Sequence, residues 1–219
     1  MRRLITFTVI FAAICCISCK KEKPPVVEPT PTDTIIPPPP APKYEVGRFY
    51  NVDGVKGIIY KVDTLTKTGM IVSLDEKAPG LWSNTSGSTQ ARSYDKGESN
   101  MAAILALNNI AHFPAFEWCE NKNKEGISGW YLPAVDELQE VAIVYNLLQD
   151  TLAAYKDVVP NTTQFIPSGD YWSSTDGADN PEYKSAYYVR FSNTPSNTTT
   201  GLKAENTMSV RAIRAFSYK

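Results

Sequence analysis

Cys119 and His112 stand seven residues apart, and a thiol near an imidazole is the one pairing in the chain that could supply an activated nucleophile. His112 is the single histidine, so a serine triad has no sequence support. There is no glycine-rich phosphate loop, and no cysteine and histidine spacing suited to zinc. A second grouping is Asp176-Gly177-Ala178-Asp179-Asn180-Pro181-Glu182, which crowds oxygen donors into a short span, as a hard cation requires. Asp176, Asp179 and Glu182 make it a weak calcium candidate, but the spacing fits no EF-hand and the same residues also make an ordinary turn. No catalytic role, no cofactor and no other metal is expected.

Three of the four cysteines, Cys15, Cys16 and Cys19, lie at the end of one apolar run, and only Cys119 belongs to the body of the chain. An intradomain disulfide is excluded by that count, and Cys119 reads as a small buried hydrophobe. Met1-Arg2-Arg3 followed by the apolar residues 4–17 has the charged start and short core of an export signal over residues 1–18. Cys16-Ile17-Ser18-Cys19 resembles a bacterial lipoprotein cleavage box, with a small residue before the cysteine that takes the lipid. Cys19 would then be acylated and would hold the protein to a lipid membrane; the alternative is an ordinary secretory signal. Residues 19–43 hold nine of the sixteen prolines and no aromatic residue, the composition of an extended polyproline stalk rather than a packed core. With a formal net charge of -1 there is no basic field for nucleic acid, which is excluded as a partner.

The elements that must position any site occupy residues 44–219. Strands are expected over 48–52, 57–63 and 69–75, rich in β-branched residues and separated by turn residues. Residues 78–97 read as a long irregular loop around Trp82. Helices are expected at 99–111, from Pro114 through Cys119, and from Pro133 to about residue 152, where Leu138, Val141, Ala142, Tyr145 and Leu148 recur at helical spacing. Strands return at 171–174, 186–191 and 208–216. Arg211 and Arg214 in the last of these should point to opposite faces, one paired inside and one solvated. Helices grouped between two sets of strands predict an α+β domain of antiparallel strands with two to three helices.

Gly129-Trp130-Tyr131-Leu132-Pro133 with Asp136-Glu137-Leu138, Tyr171-Trp172-Ser173-Ser174, and Val210-Arg211-Ala212-Ile213-Arg214 carry a family resemblance. They resemble the domain of unknown function at the C-terminus of the Legionella collagen-like adhesin, found also in Bacteroidota envelope lipoproteins. That resemblance implies a C-type-lectin-like fold. Alanine stands at Ala134 where the family often has serine or threonine, so the reciprocal capping box with Glu137 lacks its hydroxyl. Trp130 and Trp172 read as core, and Glu137 as a brace for the helix start.

The sequence therefore points to an outer-membrane lipoprotein on the cell surface or the periplasmic face, binding a glycan or an envelope protein through a non-catalytic lectin-like domain. The alternative is a structural or assembly subunit of an envelope complex. Binding residues are expected on the irregular loops, at Trp82, Asn84, Arg92, Tyr94, Asp176, Asp179, Asn180 and Glu182.

Overall fold

The β-branched runs form strands and the proline-started segments form helices in a computed structural model that describes residues 43–177, 184–192 and 197–219. Cys19, the proline-rich segment, Asp179, Asn180 and Glu182 lie outside the described residues. One sheet contains β1 (Phe49–Val52), β2 (Val55–Asp63), β3 (Thr68–Val72), β10 (Ile213–Ser217) and the two-residue β5 (Trp130–Tyr131), in the order β1-β2-β3-β10-β5. The second contains β4 (Lys77–Gly80), β9 (Met208–Val210), β6 (Asp170–Asp176), β7 (Ser185–Arg190) and β8 (Asn197–Leu202), in the order β4-β9-β6-β7-β8. Pairing is antiparallel except between β6 and β9.

Among the described residues four α-helices accompany the sheets: α1 (Gly97–Leu105), α2 (Pro114–Glu120), α3 (Val135–Ile143) and α4 (Tyr145–Tyr155). The α+β expectation holds, with one helix more than expected. The extra helix arises because the stripe from Pro133 onward breaks at Val144, whose backbone at φ -103 and ψ 15 leaves the helical region. Both halves keep their apolar face, Leu138 and Val141 in α3 and Leu148 and Leu152 in α4, all buried. The expected helix at 99–111 ends at Leu105 and gives way to a short 3-10 turn, Ile110–His112.

The expected strand at 208–216 is two strands in different sheets, and the crossing falls at Arg211 and Ala212. Arg211 is buried there. One terminal nitrogen donates to the carbonyls of Ser73 at 3.0 Å and Leu74 at 3.3 Å; the other reaches Thr163 O and Glu76 Oε2, both at 2.9 Å. Its guanidinium lies 4.1 Å from the centre of the Phe165 ring. A planar fork satisfying four acceptors from two segments, residues 73–76 and Thr163, is what lets a cation sit where the sheets meet. Arg214, three residues on and in the other sheet, lies at the surface side and donates to Ser128 O at 2.6 Å, so the opposite placement of the two arginines comes from the crossing and not from alternation along one strand.

Candidate functional site

The start of α3 joins the irregular loop to β6. Four amides at a helix start lack intrahelical partners, and Ala134 has no hydroxyl to offer. Thr175 supplies it instead: its Oγ1 accepts from Val135 N–H at 3.1 Å, and Tyr94 O accepts from Asp136 N–H at 2.9 Å. Only the glutamate half of a capping box forms, with Glu137 Oε2 accepting from Ala134 N–H at 2.8 Å. The same oxygen accepts from Gly97 N–H at 2.9 Å, and Oε1 accepts from the Tyr131 hydroxyl at 2.8 Å. Burial pushes the Glu137 carboxyl above its ordinary range, while the donors from Ala134, Tyr131 and Gly97 oppose that rise. Glu137 thus braces three segments.

The loop over residues 82–94 is ordered around a buried ion pair. Lys203 Nζ lies 2.6 Å from Asp176 Oδ1, with neither side chain exposed. The ammonium also donates to Gly87 O at 2.9 Å and sits 4.8 Å from the centre of the Trp82 ring. Asp176 Oδ2 accepts from both the amide and the hydroxyl of Thr89, each at 2.9 Å. Burial lowers the Lys203 pKa, and Asp176 works against that. Further along, Asn100 pairs with the Ser93 backbone and donates to Ser174 Oγ at 2.9 Å, while Thr175 Oγ1 donates to Ser93 O at 2.9 Å.

Two sequence-predicted ligand residues are therefore interior. Trp82 is fully buried, its indole N–H donating to Ser173 O at 2.7 Å and its ring edge-on to Phe116 at 4.9 Å. It packs the loop onto the sheet and offers no platform to solvent. Asp176 is buried against Lys203, so its carboxylate is committed to an ammonium rather than turned outward for calcium. Among the described residues no group of three or more acidic, cysteine or histidine side chains could hold a metal. Cys119 is fully buried, its thiol pushed far above the ordinary range by burial, while His112 is exposed and hydrogen-bonds Asn109. They form no catalytic pair.

Asn84, Arg92 and Tyr94 do reach the surface. Asn84 is tied through its backbone to His112 O at 2.8 Å, and Arg92 donates to Ser88 Oγ at 2.8 Å. Tyr94 is 44% exposed, and its hydroxyl donates to that of Tyr187 at 2.9 Å. The two rings lie 5.4 Å apart, so loop and sheet together make a small aromatic ledge. Sequence reasoning missed Lys203, Thr89, Thr175 and Tyr187. A lysine in the polar run 197–207 carries no mark of burial, and the run around Tyr187 reads as a strand with nothing to set its face.

The Lcl C-terminal domain family model matches residues 72–214, more than half of the chain. No curated protein matches the chain. Among solved structures, a fimbrial protein from Bacteroides ovatus ATCC 8483 is similar at 20% identity and a TM-score of 0.58, over 79% of this chain. The matched region is 49% of that structure's length, so the chain spans about half of it. At that identity the likeness is one of fold. No helix among the described residues is long and apolar enough to cross a membrane.

Proposed function

The chain belongs to the Lcl C-terminal domain family, and on that premise we propose a non-catalytic binding module of the cell surface, adhesin-like in role. Its loop face, presenting Arg92 and Tyr94 beside Tyr187, takes a glycan or a protein partner. The observation behind this reading is how the loop is fastened. Its interior is pinned by Trp82, Thr89 and the Asp176–Lys203 pair, which leaves Arg92 and Tyr94 outward on a rigid base. Preorganised aromatic and guanidinium groups at a surface are the usual anchors of recognition, because little side-chain freedom is lost on binding.

Attachment to the outer membrane through acylated Cys19, on the surface or the periplasmic face, is part of the same proposal and rests on the cleavage-box residues. Glycan arrays and pulldown from envelope extracts test the binding role. Retention of a glycan or a protein by the parent, with loss in the Arg92→Ala and Tyr94→Ala double variant, is the expected result. Equal retention by both, or none by either, would sink it.

A second reading, an assembly subunit of an envelope complex, is favoured by β8. This six-residue edge strand pairs with β7 in unbroken register and carries no charge, proline or bulge. Such an edge accepts a further strand. Native mass spectrometry of solubilised envelope separates the readings, since a stoichiometric neighbour favours assembly.

A further inference from the structure

A sheet ends in strands whose outer N–H and C=O groups lack a ladder partner, and folded proteins blunt such edges with shortness, charge, proline or bulges. Among the described residues, three of the four sheet edges are blunted in this way. β4 carries Lys77, Pro79 and a break in its register with β9. β5 is two residues long, and β1 is four, with Phe49 stacked on Tyr155 of α4 at 4.4 Å. β8 has none of these devices. Asn197-Thr198-Thr199-Thr200-Gly201-Leu202 is uncharged, runs in unbroken register along β7, and is exposed from Asn197 through Thr200.

Which of its groups face outward follows from one end of the strand. Asn206 closes Leu202: its Oδ1 accepts from Leu202 N–H at 2.6 Å, and its own backbone N–H donates to Leu202 O at 2.9 Å. Those two Leu202 groups therefore point away from β7. In an antiparallel ladder, residues that turn both backbone groups to one side alternate with residues that turn both to the other. Thr198 and Thr200 thus turn their N–H and C=O outward, while Thr199 and Gly201 face β7. Lys203 continues the inward series, its N–H donating to Lys184 O at 2.8 Å. Gln139 of α3 donates to Thr198 Oγ1 and steadies the strand from its side. The outward backbone groups of Thr198 and Thr200 have no hydrogen bond among the described residues.

We propose that β8 pairs antiparallel with β8 of a second copy about a two-fold axis at Thr199, joining the two second sheets edge to edge. This rests on the reading of β8 as an assembly edge and names its occupant. Pairing Thr198 with Thr200 of the second copy, and Thr200 with Thr198, uses every open group at once, each pair exchanging two hydrogen bonds. A shift of two residues one way sets Thr198 against Leu202, whose groups Asn206 already holds; the same shift the other way carries Thr200 past the start of β8. At the axis Thr199 faces Thr199 of the second copy in a non-hydrogen-bonded pair, with Cα atoms ~4.5 Å apart, and threonine opposite threonine is a favourable cross-strand pair. Two copies of an uncharged strand bring no like charges together, as self-pairing requires. Such an isologous contact closes at two copies.

Sedimentation equilibrium of the full chain from about 10 μM to about 1 mM tests it. A reversible dimer is expected, with a dissociation constant on the order of 0.1 mM, because one strand edge buries less than the roughly 1,200 Å² of a stable interface. Thr199→Lys sets two ammonium groups against each other at the axis and should weaken the dimer about fivefold or more with melting unchanged. Thr199→Cys should form a disulfide between the two copies on oxidation, identified by peptide mass spectrometry so that it is told from bonds of the chain's own cysteines. Asn197→Cys should not, since its copies stand roughly 13 Å apart along the strands in this register. A parent that stays monomeric at about 1 mM, a dimer indifferent to Thr199→Lys, or cross-linking through Asn197→Cys in place of Thr199→Cys overturns the proposal. If the parent is monomeric yet holds a different envelope protein in fixed ratio, lost in Thr199→Lys, self-pairing fails and the assembly reading survives. A monomer with no such neighbour ends both.

Discussion

Replacing Lys203 by methionine should be among the most damaging single changes in the domain. The ammonium is fully buried, 2.6 Å from Asp176 Oδ1, and it holds Gly87 O as well. Methionine fills much of the same space but leaves a carboxylate sealed in the interior with only the two Thr89 donors. Removing one partner of a buried pair costs about 3–5 kcal/mol. At roughly 2–4 °C per kcal/mol for a domain of this size, the melting temperature should fall by about 6–20 °C. Urea unfolding followed by tryptophan fluorescence reads the loss, with Trp82 beside the pair as a reporter. Asp176→Leu in the Lys203→Met background removes the stranded charge, so the double variant should be more stable than the sum of the single losses predicts. The pH dependence has a definite sign. Burial lowers the Lys203 pKa below its ordinary 10.5, so between the two values the unfolded chain binds the extra proton. Stability of the parent relative to Lys203→Met should therefore rise with pH through the window just below 10.5 and level off above it. A loss under about 1 kcal/mol, or strict additivity in the cycle, would refute the claim that the loop is built on this pair.

Arg211→Lys should cost about 3 kcal/mol or more in the same unfolding assay, because one ammonium cannot replace a fork serving Ser73, Leu74, Thr163 and Glu76; parent-like stability would contradict the role given to the sheet crossing. Thr175→Val should lose about 1 kcal/mol and Thr175→Ser much less, measured by thermal melting, since it is the hydroxyl of Thr175 that accepts from Val135 N–H at the start of α3. Cys119 should resist iodoacetamide in the folded protein at pH 8 and react fully in urea, because burial suppresses the thiolate; labelling of the native protein within minutes would show an accessible thiol.

The parts of this fold legible in sequence are those where one physical signal acts alone. β2 and β3 announce themselves through Ile58, Ile59, Ile71 and Val72, and α2 through Pro114 at its first turn. β8 is invisible because Asn197, Thr198, Thr199 and Thr200 have the composition of a loop, and pairing with β7 decides the matter. The α3–α4 break is hidden because the apolar stripe continues through Val144 while the backbone does not. The loop residues carry the weakest local signal. Gly, Ser and Thr around Trp82 read as solvent-facing, yet Thr89, Asp176 and Trp82 are interior because Lys203, more than a hundred residues from Gly87, closes over them. A buried charge is made tolerable by its partner, and partners distant in sequence leave no local signature.

The borrowed hydroxyl at the start of α3 also bears on the order in which the domain can assemble. Val135 waits for Thr175, forty positions later, and at the same junction Pro133 O waits for Ser174 N–H at 2.7 Å. A chain emerging in order from the ribosome or a translocon would hold α3 with a frayed start until β6 arrived. Such a closure brings distant segments together before it yields contacts, and so is slow. This helix should therefore mature late, together with the strand that caps it, rather than serve as a seed for the rest.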